Sequence, residues 1–132
     1  MTASPRAIEL TITAAQAASD KLAENIVALD VSETLVITDV FLVCSAQNDR
    51  QVKAIADAIE ESLDRIDVDP IRREGEREGR WILLDYLDIV VHVQHSDERS
   101  FYGLDRLWKD CPAIALPESV TGPRVQSEPA GA

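Results

Sequence analysis

The sequence predicts a single α/β domain, a sheet flanked by helices, and three observations carry that prediction. Val52, Ile55, Ala56, Ile59 and Leu63 recur at three- and four-residue spacing, the period of a helix with one buried face. Apolar runs of strand length, at 26–31, 38–46, 81–84 and 89–93, alternate with helical stretches along the chain. At 132 residues and 45% hydrophobic content, the chain suffices for one core.

In chain order, Ser4 before Pro5 is a helix start, a capping hydroxyl preceding proline at the first helical position. Ala7, Leu10, Ala14, Ala17, Ala18 and Leu22 form an approximate stripe behind it. The β-branched Thr11-Ile12-Thr13 leaves a later start open, with Thr13 and Gln16 as a capping box. The first strand is 26–31, with Val27, Leu29 and Val31 at alternate positions and Asp30 and Ser32 closing it. The second, 38–46, has Val40, Phe41, Leu42 and Val43 in succession; apolar on both faces, it belongs mid-sheet. Asp39 at its start is expected to bond backbone amides there.

Asn48 caps the clearest helix, with Gln51 three residues on. Its outer face carries Asp57, Glu60, Glu61 and Asp64, and Asp67-Val68-Asp69-Pro70 ends it. The charged stretch 71–78 is at best an edge strand before a turn at Gly79. Then come the two arms of a hairpin, 81–84 and 89–93, joined by the polar-edged Asp85-Tyr86-Leu87-Asp88. Ser96 or Asp97 caps a short helix with Phe101, Leu104, Leu107 and Trp108 at helical spacing, ending before Pro112. The domain is expected over 1–116, and 117–132, rich in Pro and Gly, as a disordered tail.

Asp and Glu outnumber Lys and Arg 24 to 13, a net charge of −11 that repels phosphate and points away from nucleic acid towards a basic protein partner. No apolar run approaches the ~18 residues of a membrane span, and 1–6 lack the features of a signal peptide, so a cytoplasmic protein is expected. Cys44 and Cys111, far apart and in no metal-binding spacing, are expected as packing thiols.

Phosphate chemistry would need a Gly-rich loop, or carboxylates at alternate strand positions sharing Mg²⁺. Asp85 and Asp88, three apart, point to opposite faces of a strand or into solvent at a turn. Asp67 and Asp69 have better spacing but sit at a helix end before proline. His92 and His95 also face opposite sides of a regular strand, and no serine or cysteine has the context of a nucleophile. The residues describe a binding protein, not an enzyme, with no cofactor or metal implied. Five of the six aromatic residues, Trp81, Tyr86, Phe101, Tyr102 and Trp108, fall between 81 and 108, interleaved with Arg80, Arg99 and Arg106. Trp, Tyr and Arg are the side chains most common at interface hot spots. Phe101 and Trp108 are read as core filling, while Trp81 and Tyr102 stand open between core and interface.

Several fragments in order resemble the ribosomal silencing factor family, also called Iojap. They are Ala28-Leu29-Asp30-Val31, Thr38-Asp39-Val40-Phe41, Arg50-Gln51-Val52, Ala54-Ile55-Ala56-Asp57, Glu74-Gly75, Trp81 with Asp85, Val91-His92-Val93, Arg99-Ser100-Phe101-Tyr102 and Leu107-Trp108. The chain departs from the family pattern at Leu87, where glycine is usual, and Asp105, where glutamate is usual. The resemblance implies a mixed five-stranded sheet similar to the nucleotidyltransferase fold but without its catalytic motif. It implies binding to the large ribosomal subunit through its basic protein number fourteen, which blocks subunit joining and represses translation, and a homodimer when free. The alternatives are a large-subunit assembly factor and a nucleotidyltransferase-type enzyme using Asp67 and Asp69, or Asp39. By this analogy the contact surface includes Trp81, Leu83 and Asp85, which alternation puts on one face, with His92, Arg99 and Tyr102 as further contacts.

Overall fold

The chain runs α1 (Pro5–Asp20), β1 (Glu24–Asp30), β2 (Val40–Ala46), α2 (Asp49–Asp64), β3 (Arg72–Glu74), β4 (Trp81–Asp85), β5 (Ile89–His95), α3 (Ser96–Tyr102) and α4 (Leu104–Leu107). In the computed structural model, which describes residues 2–120, the strands form one sheet ordered β1-β2-β5-β4-β3. The β2–β5 pair is parallel and the other pairs antiparallel, the mixed five-stranded sheet expected.

Helix α1 starts at Pro5, with the Ser4 hydroxyl accepting from the Ala7 amide at 3.1 Å, so the early start is the one realised. Thr11 is accommodated inside it by donating its hydroxyl to the Ala7 carbonyl at 2.8 Å. Leu22 does not extend the stripe: the helix ends at Asp20, and Leu22 lies beyond it, exposed, with φ +64°. Helix α2 is capped by Asn48, whose side chain accepts from the Gln51 amide at 2.9 Å.

Strand β1 begins two residues earlier than expected, through a bulge between Glu24 and Val27 with Asn25 at φ +51°. The Asp39 carboxylate bonds a backbone amide, but that of Ser4 at 2.8 Å, thereby tying the start of β2 to the start of α1. Gly75, at φ +88°, follows β3 where an added Cβ would run into the Trp81 carbonyl.

The core lies on one side of the sheet. Val40, Leu42, Cys44, Ile82, Leu84, Val91 and Val93 are buried there against Ala7, Leu10, Ala14 and Ala18 of α1 and Val52, Ile55, Ile59 and Leu63 of α2. The small side chains of α1 let that helix approach closely. Burial pushes the Cys44 thiol up to about 12, so it packs as a neutral group. Tyr86 also joins this core, although it belongs to the polar-edged connection of the hairpin. Asp85 stays in the strand and directs its side chain to the other face, while Tyr86 turns inward. Beyond α4 the chain returns to the sheet at Ala113, opposite Leu29. Val120 is buried and the Ser119 hydroxyl donates to Gln16 at 2.8 Å, so 119–120 lie against α1; the rest of the expected tail, 121–132, lies outside the described residues.

Candidate functional site

Among the described residues, the second face of the sheet has no long helix upon it. Register and alternation place Val27 and Leu29 of β1, Phe41, Val43 and Ser45 of β2, Val90, His92 and Gln94 of β5, and Trp81, Leu83 and Asp85 of β4 on this side. Its only cover among the described residues is a strap made of α3, α4 and the segment after them. Neither helix contributes a buried residue.

The strap is short because Gly103, at φ +58°, ends α3 and opens α4; an added Cβ there would meet the Arg106 guanidinium. The single helical stripe expected over 101–108 is therefore broken in two, and its apolar members part company. Phe101, read as core filling, is 78% exposed, and Leu107 is 72% exposed. Trp108 does pack, edge-on to Phe41 at 5.1 Å. The cap of α3 is neither Ser96 nor Asp97 but His95, whose Nδ1 accepts from the Asp97 amide at 3.1 Å.

A ladder of rings crosses this face. Trp108 meets Phe41, Phe41 meets His92 at 5.0 Å, His92 meets Trp81 at 6.0 Å, Trp81 meets Tyr102 at 4.9 Å, and Tyr102 meets Phe101 at 5.0 Å. Trp81 and Leu83 are half-buried and Tyr102 is 51% exposed, so the ladder rises from the sheet centre to the surface.

The expected site residues divide by what they can offer. Trp81, Leu83 and Tyr102 present open apolar and aromatic surface. His92 lies beneath them: Trp81 Nε1–H donates to its Nδ1 at 3.2 Å, and burial lowers its pKa to about 4. It is a neutral strut that orients the indole. The Asp85 side chain is only 14% exposed; one oxygen accepts from the Leu87 amide at 2.9 Å and the other from Arg72 at 3.1 Å. Its charge is largely spent inside the protein.

Arg99 is spent more completely. Its guanidinium grips Asp105 with two bonds, Nε to Oδ1 at 3.0 Å and Nη2 to Oδ2 at 2.8 Å, and Nη1 donates to the Asn25 carbonyl at 2.7 Å. The bulge in β1 thus turns a carbonyl towards the strap. Arg99 also holds the Asp105 carboxyl below the usual carboxylate range. With Arg80 bound to Glu98 at 2.9 Å, these ion pairs hold α3 down. Sequence reasoning missed Phe101 and Leu107 as surface groups; Gly103, a helix stop just after an aromatic pair, was the available signal.

Among the described residues no cluster of His, Cys, Asp and Glu is arranged to hold a metal ion, and no helix is long and apolar enough to cross a membrane. The family model described as "ribosomal silencing factor during starvation" matches residues 4–131. The chain is 46% identical over 103 residues to the ribosomal silencing factor of Bacillus subtilis, covering 78% of this chain and 87% of that one. It is also similar to the chloroplastic protein Iojap of Zea mays, 26% identical over 110 residues, covering 83% of this chain and 48% of that one. A crystal structure from Chromobacterium violaceum superposes with a TM-score of 0.75 at 30% identity, covering 89% of this chain and 97% of that one. Another, from Bacillus halodurans, has a TM-score of 0.72 at 36% identity, covering 86% and all of that chain respectively. Sequence and overall fold both match these relatives, and the chain belongs to the ribosomal silencing factor family.

Proposed function

We propose that this protein represses translation in the cytoplasm by occupying the large ribosomal subunit, docking on its basic protein number fourteen and excluding the small subunit by bulk. The observation that carries the reading is the open row of Trp81, Leu83 and Tyr102 on a sheet face that, among the described residues, lacks a full helix layer. Such a row supplies large apolar area at low entropic cost, the usual centre of a protein interface. The net charge of −11 favours a basic protein surface over the surrounding RNA. His92, Arg99 and Asp85 act within the protein, fixing the indole, the strap and the edge of the contact. No turnover is required. In the free protein the same patch meets its counterpart in a homodimer, which hides the exposed aromatic surface.

Purified protein should cosediment with isolated large subunits at moderate salt and slow their joining to small subunits. Failure to bind, or binding without slower joining, overturns the reading. Accumulation of large-subunit precursors on deletion, with joining unaffected, would replace it with an assembly role.

A further inference from the structure

The strap over the second face is attached to the sheet unevenly. Its two ends belong to the main chain of the sheet. Where it begins, the His95 amide donates to the Arg80 carbonyl at 2.8 Å; where it ends, the Asp30 amide donates to the Pro112 carbonyl and the Ile114 amide to the Ala28 carbonyl, each at 2.8 Å. Between those ends, over 96–111, backbone-to-backbone bonds among the described residues stay within the strap, from Gly103 to Arg99, Leu107 to Gly103, Trp108 to Leu104 and Cys111 to Trp108. Side chains tie this middle down. Arg99 donates to the Asn25 carbonyl at 2.7 Å and the Ser45 hydroxyl at 3.4 Å, Glu98 holds Arg80, and Tyr102 and Trp108 lean on Trp81 and Phe41.

What lies beneath favours release. In register, Gln94 stands between Ser45 of β2 and Trp81 of β4, the two positions that Arg99 and Tyr102 reach, so the strap passes over it. Gln94 is wholly buried, and both polar atoms of its amide lack a hydrogen-bond partner among the described residues. His92 accepts the Trp81 indole at Nδ1, which leaves its proton on Nε2, a second buried group without a partner there. Closing the strap withholds water from these groups, and that loss opposes the bonds and ring contacts that hold it shut. Helices of seven and four residues do not stand without a sheet to pack on, so a strap that leaves it also unwinds.

We infer that the strap 96–111 is a gate on the docking surface, closing over Gln94 and His92 to assemble that surface and opening locally to hydrate them while the sheet stays folded. Tyr102 travels with the strap and stacks on Trp81 only when it is shut. A partner that seats on both rings therefore binds the closed form, and its apparent affinity falls as the open fraction grows. This regulation rests on the docking surface proposed above; the opening itself does not. Arg99 and Asp105 form the latch, because the carboxylate takes two of the guanidinium's bonds and keeps Nη1 aimed at the Asn25 carbonyl.

Hydrogen exchange on the free full chain tests the opening. The amides of Gly103, Leu107 and Trp108 should exchange through a local event, faster than those of α2 and insensitive to low urea. Asp105→Asn should speed them about fivefold to tenfold, and Gln94→Met, which leaves no amide for water to recover, should slow them about fivefold. Asp110→Asn, a like loss of charge at an exposed position of the same strap, should leave them unchanged. Bound large subunits should slow the same amides, and Asp105→Asn should cosediment less well than Asp110→Asn. Strap exchange no faster than that of α2, no slowing by Gln94→Met, or equal effects of Asp105→Asn and Asp110→Asn would each overturn the inference. So would firm binding of large subunits that leaves the strap exchanging as in the free protein, whereas expected exchange in a protein that binds no large subunit counts against the docking reading alone.

Discussion

Leu83 and Leu84 are chain neighbours on β4 with opposite fates. Leu84 is wholly buried in the core beneath α1 and α2, whereas Leu83 lies half-open beside the aromatic ladder. The same contrast runs across the sheet. The covered face is aliphatic and closed; the strap face buries His92 and Gln94, and leaves His92 Nε2 and both polar atoms of the Gln94 amide without a hydrogen-bond partner among the described residues. Buried polar groups of that kind cost stability. One face holds the molecule together, and the other gives up part of that stability on the side proposed for docking.

The largest effect expected from this division is on Leu84. Leu84→Ala should cost about 3 kcal/mol by urea denaturation, the usual loss for a buried leucine. Leu83→Ala should cost less than about 1 kcal/mol while weakening attachment to large subunits. Equal destabilisation by the two would erase the contrast.

Next in size is Trp81→Ala, which should weaken binding to large subunits by about 2 kcal/mol, roughly thirtyfold, measured by cosedimentation at several protein concentrations. Its circular dichroism should stay native, since Trp81 stacks on the outer Tyr102 and not in the helix-covered core. An unfolded variant would instead make the indole part of the scaffold.

The strap face should also answer to pH where the covered face does not. His92 titrates at about 4 in the folded protein against 6.5 for an unperturbed imidazole. Between those values the unfolded chain takes up a proton that the folded chain refuses. The stability from neutral His92 is therefore complete above about 6.5 and lost as pH falls towards 4. His92→Gln should flatten the fall in unfolding free energy, read by urea denaturation from pH 6.5 towards pH 5, above the carboxylate range, by on the order of 1 kcal/mol. Of similar size, Gln94→Met should raise stability by about 1 kcal/mol, because it removes an amide with no hydrogen-bond partner among the described residues.

The covered face was the legible one. Periodicity in Val52, Ile55, Ile59 and Leu63, and unbroken apolar runs through β2 and β5, report burial directly because aliphatic side chains have one reason to recur at fixed spacing. The strap face was legible only in outline. Alternation grouped Trp81, Leu83 and Asp85, and the structure does place them together. Pattern could not reveal that Asp85 and Arg99 are occupied internally, since a charge in sequence does not declare its partner. Arg99 reaches Asn25, 74 residues away, through a bulge that no propensity marks. Tyr86 misled for a related reason: an aromatic between two aspartates reads as a turn, yet Asp85 and Tyr86 leave the backbone on opposite sides and only the ring goes inward.

The smallest effect concerns the turn where the two faces are divided. Leu87 stands at φ +74°, a left-handed conformation that a branched side chain adopts at a cost of roughly 1–2 kcal/mol and glycine adopts freely. It persists because the Asp85 carboxylate accepts the Leu87 amide at 2.9 Å and the Asp88 amide bonds the Tyr86 carbonyl at 2.9 Å, which together close the turn. Leu87 is itself exposed, so its side chain returns little packing for that strain. Leu87→Gly relieves the strain but enlarges the freedom of the unfolded chain, offsetting roughly 0.4–1 kcal/mol of the gain. The net expectation is a stabilisation of about 0.5 kcal/mol, read as a small rise in Tm, with the exposure of Trp81 fluorescence to quencher unchanged. A fall in stability would mean that Leu87 packs in the turn as part of the scaffold, and would move the boundary between the two faces out to the hairpin tip.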